Sequence, residues 1–520
     1  MTVYLRNLYF GCADGDTESN KEGFLDLFYT GNNKYNEITN DPMKFIVYGQ
    51  KGTGKTIMGR YIEKNYNNSG IHCKIFNKDD ITLTKLIEKN DEFLSSDQAA
   101  PFFKWFIYYK IYQVIENIKI KYISVFDKNI FNRNFLKELK KIRDCKKSIK
   151  KLTELYQERY PISNFEFLKY DFSSEENMTG EIASDIASGL GNSKIKGENK
   201  KKKNVPYTKT EFYKLLDEVE KNILKCLKAI KVVIILDDLD ELELKLSTSN
   251  NSILTLNKLI DSLKNINILF SNNNLSPSKC ILLIRSDIIN TLNKYSTNLN
   301  KVILDNSVEL YWIDKDNNFP ERHMLMQMIL NKIKRTCIEY ASLNDIALYR
   351  KIFPESISKQ SAINYMINNS FGRPRDIICY LDIIKRKYPN ENYFKATMFK
   401  ECKQSYSDAF LKELYNEMKI HLPLEIVEDY LNLIRDFGKN TFYASDLKKF
   451  HKARRKNYKN ISDVNKCLET LYKFGVVGNF KWVNNETVYS WGYRKDGNPN
   501  ANMDQKFTIH YGLRKILNTN

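Results

Sequence analysis

The chain has 520 residues, enough for two to four domains with proper cores, and its 42% hydrophobic and 13% aromatic content predicts that most of it folds. Nine scattered cysteines without a C-x-x-C pair, five histidines without ligand spacing, and charges that interrupt the most apolar stretch (Lys104, Lys110, Glu116 and Lys119 within 102–123) argue against a disulfide framework, a zinc site and a membrane span. The formal charge of +19 suits a nucleic-acid partner, although joint richness in Lys, Asn, Ile and Tyr is also what an AT-rich genome places on solvated faces.

No charged-then-apolar leader opens the chain, so a cytoplasmic protein with reduced thiols and no membrane contact is expected. Residues 1–40 carry a short helix over 22–29 and are expected to pack on the nucleotide domain, beside its ligand. Residues 44–48 form a short apolar run that reads as a buried strand. Directly after it comes Gly49-Gln50-Lys51-Gly52-Thr53-Gly54-Lys55-Thr56, which fits the phosphate-binding pattern G-x-x-x-x-G-K-[ST] at every fixed position, and residues 57–64 then show helical spacing. Strand, glycine loop and helix are the context that this motif needs.

The chemistry follows from the residue types. Gly49, Gly52 and Gly54 let the backbone curl and aim successive N–H groups at one point, at a helix N-terminus whose dipole favours anions. Lys55 has the reach for the β- and γ-phosphates, and the Thr56 hydroxyl is a Mg²⁺ ligand. A nucleoside triphosphate, ATP, is the expected ligand, held by Gly49, Gln50, Lys51, Gly52, Thr53, Gly54, Lys55, Thr56 and Ile57.

A second strand is expected at 70–76. Residues 82–210 then show helical periodicity with few strand signals and read as a helical insertion, ending in a Gly/Ser/Lys-rich linker at 188–204 with Lys200, Lys201, Lys202 and Lys203 consecutive. The core resumes with a helix over 213–230 and a strand over 231–236 that ends in Asp237, Asp238 and Asp240. This is what a Walker B element requires: Asp237 is assigned to Mg²⁺ and Asp238 to the attacking water. A helix over 257–268 and strands over 278–284 and 307–312 complete an α/β parallel sheet covered on both faces. The nucleotide core therefore spans 41–315, followed by a helical lid over 316–420. Residues 421–520 differ: helices over 425–437, 444–456 and 462–474 lead into strands over 482–491 and 507–510, the plan of a winged helix. A basic run at its second helix (Lys448, Lys449, Lys452, Arg454, Arg455, Lys456, Lys459) suits DNA phosphate, while the unit equally suits an interdomain clamp.

On these residues the chain resembles the STAND-type, AAA-related P-loop ATPases of the ASCE class, and within them the bacterial Sll1717-type ATPases. The resemblance rests on residues 45–56, on Ile234 through Asp240, on Ile281-Leu282-Leu283-Ile284-Arg285-Ser286-Asp287 and on Phe371-Gly372-Arg373-Pro374-Arg375-Asp376. It implies that Arg285 is a catalytic sensor of the γ-phosphate and that the lid element Gly372-Arg373-Pro374 reports on the nucleotide, with Pro374 touching it. It also implies a switch of bacterial defence or signalling whose ATP-bound form assembles as a homo-oligomer or licenses an effector protein. No sequence feature identifies an arginine finger; Arg322 and Arg335 are candidates. Fast hydrolytic relatives carry Glu where this chain has Asp238, and the shorter carboxylate suits slow hydrolysis. A second reading is a DNA-binding ATPase resembling origin-recognition and loader ATPases, with the winged helix on DNA. KAP-type ATPases share the Asp-Asp-Leu-Asp ending, but they commonly insert membrane helices after the phosphate loop, which the charged stretch after Phe102 does not supply.

Overall fold

The computed structural model describes residues 3–77, 96–118, 133–159, 209–237, 250–294, 296, 298–314, 319–483, 486–495 and 497–519. Asp238, Asp240 and the segment 188–204 lie outside the described residues.

Five parallel strands form the central sheet: β1 (Ile46–Gly49), β2 (His72–Phe76), β3 (Val232–Leu236), β4 (Lys279–Arg285) and β5 (Ser307–Glu309), in the order β2-β3-β4-β1-β5. β1, β3 and β4 follow from short, nearly continuous apolar runs, as strands buried on both faces demand, while β2 and β5 carry polar residues as well. Alternation then sorts the side chains. Val47, Ile75, Val233, Ile235, Ile281 and Leu283 face Met58 and Ile62 of the helix after the phosphate loop. Ile46, Phe76, Ile234, Leu236, Cys280 and Leu282 face the other way. The register sets Gly49 beside Arg285, so the end of β4 lies next to the start of the phosphate loop. β4 separates the loop strand from the strand that leads to Asp237.

Helix α2 (Lys55–Asn68) lies on the first face, with α1 (Gly15–Ser19) packed against its N-terminal end at Ile57. On the second lie α3 (Ser96–Glu116), α4 (Arg133–Thr153), α5 (Lys209–Ala229) and α6 (Asn250–Asn272). The stretch expected to be an insertion is therefore more than an appendage. Phe102, Trp105 and Phe106 of α3 share a core with Phe45 and Leu282 of the sheet, so α3 is one of the helices that cover that face. Its Lys110 is only 4% exposed, with the ammonium 4.9 Å from the Phe76 ring and 5.4 Å from that of Phe106. Behind α3, Cys145 and Leu152 of α4 pack with Val219 and Ile223 of α5.

After α7 (Ser286–Leu292) and β5, the chain is helical: α8 (Met324–Thr336), α9 (Pro374–Lys387), α10 (Lys403–Met418), α11 (Leu424–Phe437), α12 (Ala444–Ala453) and α13 (Val464–Lys473), with shorter helices between them. An antiparallel sheet follows, formed by β6 (Thr441–Phe442), β7 (Val477–Val483), β8 (Glu486–Ser490) and β9 (Lys506–Ile509) in the order β6-β9-β7-β8. The single strand expected over 482–491 is instead a hairpin, with Trp482 opposite Thr487 and Phe480 opposite Tyr489. The helix expected over 444–456 stops at Ala453, and a 3₁₀ turn takes Arg455–Asn457. In the N-terminal segment the expected helix shrinks to Phe24–Leu27, started by Gly23 in the left-handed region.

The helical lid and the terminal unit share one continuous core, which runs from Leu325 through Tyr380, Leu431 and Leu468 to Phe507. Leu5, Leu8 and Phe10 belong to that core rather than to the nucleotide domain, and the Leu5 amide donates to the Glu391 carbonyl at 2.7 Å. The N-terminal segment thus spans both halves of the molecule.

Two buried histidines make this half acid-sensitive. His510 sits among Trp491, Phe371 and Phe410, accepts from the Gly512 amide at 3.1 Å through Nδ1, and has Nε2 3.0 Å from the Tyr493 hydroxyl. Burial, then the nearby Arg494 cation, push it down to about 3. Burial pushes His323, which caps α8 by accepting from the Leu325 amide, down to about 4. Both folded values lie below the unfolded one, so the stability they contribute is present above pH ~6.5 and is lost as the pH falls through that value. Between pH 7.5 and 5.0 each is expected to contribute a loss of about 2 kcal/mol, from ~1.4 kcal/mol per pH unit. Urea unfolding of the wild type and of His510→Gln at both pH values checks this: the variant should lose about 2 kcal/mol less on acidification.

Candidate nucleotide site

The phosphate loop closes around the N-terminus of α2. Gly52 and Gly54 adopt φ of +82° and +97°, which only glycine takes without strain. A Cβ on Gly49 would meet the Thr53 hydroxyl at 2.6 Å and the Leu310 carbonyl at 2.9 Å. The Lys55 ammonium donates to the Gly49 and Gln50 carbonyls, both at 3.1 Å, and the Thr53 hydroxyl donates to the Gln50 carbonyl at 2.8 Å. Lys51, Gly52, Thr53, Gly54, Lys55, Thr56 and Ile57 all line one cavity of about 260 Å³. Gly49 and Gln50 do not. Gln50 turns to a second cavity of about 280 Å³, where its side-chain amide donates to the Tyr493 carbonyl at 3.1 Å.

Asp237, immediately after β3 and 2% exposed, lines the first cavity with Lys55 and Thr56. A hydroxyl and a buried carboxylate beside a lysine and helix-terminal amides form a donor set that fits Mg²⁺ bound with nucleotide phosphates. Arg285, the last residue of β4, also lines this cavity and is 5% exposed. Its guanidinium grips Asp287 in two places, at 3.0 and 2.7 Å, and Asp287 lies 3.0 Å from Nε2 of His421 in the turn after α10. Burial would raise the Asp287 carboxyl, but the His421 hydrogen bond and the Arg285 charge outweigh it and hold it far below the usual carboxylate range.

The lid element meets the loop directly. Gly372 has φ +66°, and a Cβ there would strike the Ile313 side chain at 2.7 Å. Pro374 opens α9 and lines the cavity. Arg373, 2% exposed, bonds Asp376 through Nε and Nη2 at 3.0 Å each, and its Nη1 reaches Glu417 at 2.7 Å and the Lys51 carbonyl at 2.9 Å. The Arg375 amide lies 3.4 Å from the Gly52 carbonyl, while its side chain bonds Glu413 at 2.7 Å and the Ala13 carbonyl at 3.0 Å. Lys51 lies 3.5 Å from the same Glu413.

The wall opposite the loop comes from residues that carry no motif. Cys12, Ala13, Asp14, Gly15, Asp16 and Glu18 line the cavity. Asp14 caps α1 by accepting from the Thr17 amide at 2.8 Å, and Asp16 pairs with Arg60 of α2 at 2.6 Å. Glu18, 1% exposed, forms a buried ion pair with Lys332 of α8 and accepts from the Cys12 amide at 2.9 Å. Phe28, Tyr29, Met328 and Ile378 add apolar surface. The cavity thus joins the cations of loop and lid, Lys51, Lys55 and Arg375, to a mixed wall of carboxylates and apolar side chains.

A five-stranded parallel sheet with helices on both faces, ending in a phosphate loop beside a buried aspartate, defines a P-loop NTPase domain. Residues 32–276, a little under half of the chain, match the model of the KAP family P-loop domain, and residues 323–415 match that of the FunZ-associated C-terminal helical domain. No curated protein matches the chain. The first match thus falls on the family that shares the Asp-Asp-Leu-Asp ending, ranked third on sequence for want of membrane helices; no helix among the described residues is long and apolar enough to cross a membrane.

Proposed function

We propose that this chain is a cytoplasmic, ATP-binding and slowly hydrolysing switch ATPase that couples its nucleotide state to self-assembly or to a partner protein. The relation to STAND-type and Sll1717-type ATPases and the setting in bacterial defence or signalling are parts of the same proposal and rest on the sequence resemblance. The observation that carries the switch reading is the grip on the phosphate loop: Arg373 and Arg375 of the lid and the Tyr493 carbonyl of the terminal unit all bond Gln50, Lys51 or Gly52. A loop held in this way transmits any shift of the phosphates to both C-terminal units.

In this reading Lys55 and the loop amides bind the phosphates, with Thr56 and Asp237 as the Mg²⁺ ligands. Mg²⁺, when bound, neutralises phosphate charge. Asp238 orients the attacking water, at a low rate because its carboxylate is short. Arg285 is shared: turning toward the γ-phosphate, it leaves Asp287, which loosens the hold on His421. The order helix, strand, helix, helix and antiparallel strands over 424–509 supports a winged-helix unit as the element released. Asp238→Asn is expected to bind ATP as the wild type does, to lose hydrolysis by about 100-fold, the low end for a general base, and to hold the ATP-bound arrangement. ATP turnover, together with hydrogen exchange of 424–509 in ATP and in ADP, checks this. Undiminished turnover by Asp238→Asn removes the catalytic assignment.

The alternative, a DNA-binding ATPase resembling origin-recognition and loader ATPases, is favoured by one feature. Lys448, Lys449, Lys452, Arg454, Arg455, Lys456 and Lys459 are all exposed, with Arg454 stacked 4.1 Å over the Phe450 ring.

A further inference from the structure

Helix α4 carries a charge imbalance that neither the nucleotide site nor its own packing explains. Its 21 residues hold nine Lys or Arg against two acids, Glu138 and Asp144. The helix it packs on is balanced, with five lysines and four acids in α5, and there Glu220 pairs with Lys104 and Glu218 with Lys151. At ~100° per residue, Lys137, Lys140, Arg143, Lys147 and Lys150 fall within one arc of about 140°. All five are exposed, and Asp144 at the edge of the arc is the one acid among them. They span about 20 Å of helix axis at 1.5 Å per residue.

One further cation, the half-buried Lys231, lies just past the end of the neighbouring helix. The pairing of Lys151 with Glu218 and of Cys145 with Cys226 makes α4 and α5 antiparallel. Lys141 therefore lies toward Lys231, whose own charge is disfavoured by burial and by that lysine. Like charges brought together in this way cost stability, and a polyanion relieves that cost. We infer that the exposed face of α4 binds the sugar–phosphate backbone of a nucleic acid. The apolar side of α4 is consumed within the fold, since Cys145 and Leu152 are fully buried. Among its described residues the helix therefore has no exposed apolar side chain to sink into a lipid surface, which peripheral membrane helices need. What it offers is a row of cations at a spacing suited to successive phosphates.

The test uses the full chain and the variant in which Lys137, Lys140, Lys147 and Lys150 are all Gln, all exposed positions at which folding is indifferent to the change. The probes are a random 20-base-pair duplex and the matching single strand, followed by fluorescence anisotropy from 50 to 200 mM salt. With five cations engaged, the wild type should lose ~500-fold in affinity across that range and the variant only ~4-fold, from a slope of about −0.9 per phosphate contact. At 50 mM salt the variant should bind at least ~50-fold more weakly, with its ATP binding unchanged. Equal binding by both proteins overturns the inference. So does loss of binding only in Arg454→Ala/Arg455→Ala, which would place the nucleic acid on the terminal unit. Capture of phosphatidylserine vesicles without duplex or single-strand binding overturns it in favour of a membrane. Failure of Asp238→Asn to alter turnover leaves this inference untouched, because no described residue of α4 lines the nucleotide cavity.

Discussion

Lys55→Ala should lower ATP affinity by ~100-fold or more. The ammonium is the strongest single donor at the loop, and a charge-assisted contact to phosphate is worth roughly 3 kcal/mol, with 1.4 kcal/mol for each factor of ten. In the protein it rests on the Gly49 and Gln50 carbonyls, so its removal also frees two acceptors at the base of the loop. Titration with a fluorescent ATP analogue measures the affinity. Thermal unfolding without nucleotide measures the second effect, expected to be only about 1 kcal/mol. Normal ATP affinity in Lys55→Ala would show that the phosphates lie elsewhere.

The second large effect concerns Arg373. It is almost wholly buried, and burial alone would lower its charge; Asp376 and Glu417 reverse this and hold the guanidinium firmly protonated. Removing one partner of such a cluster strands the carboxylates, and Arg373→Ala is expected to cost about 3–5 kcal/mol. Arg373→Lys should recover only part, because one ammonium cannot serve Asp376 in two places while reaching Glu417 and the Lys51 carbonyl. Urea unfolding gives the stability. Limited proteolysis with and without ATP gives the coupling: in the wild type ATP should alter cleavage within 323–415, and in Arg373→Ala it should not. Unchanged coupling in a folded Arg373→Ala would sink the view that this arginine joins lid to loop.

The nucleotide core was legible because its signals are local. β1, β3 and β4 are short apolar runs, and Gly49 to Thr56 needs no distant residue to be recognised. The lid's Arg373, Pro374 and Arg375 were legible as a pattern, but their partners were not. Glu413 and Glu417 stand four apart on α10, a spacing that puts both on one helical face, yet nothing in the sequence says that they face arginines forty residues away. Glu18 and Lys332 are separated by more than three hundred residues and pair only once the N-terminal segment crosses from lid to loop. Arg285 was read for its position at a strand end, which the register bears out, whereas its attachment to His421 depends on how the lid docks. The hairpin of 477–490 carried a signal that the strand reading ran over: Asn484 and Asn485, turn-forming residues, interrupt the alternation between Trp482 and Thr487. α3 escaped as a sheet-covering helix because apolar residues occur all round it, which blurs its period.

A peptide unit has two ends that point in opposite directions. In the phosphate loop the protein holds the oxygen ends of two such units: Arg373 takes the Lys51 oxygen and Trp312 takes that of Thr53, each at 2.9 Å. The N–H ends of the same units belong to Gly52 and Gly54, both of which line the cavity. Turning either plane to follow a departing phosphate would break a bond on the far side. The tilt of each plane is therefore a single mechanical variable with two readers, a nucleotide at the N–H end and an arginine or tryptophan at the oxygen end. Affinity for phosphate and seating of the lid then become two measurements of the same angle, and a change in one is felt in the other without any longer chain of contacts.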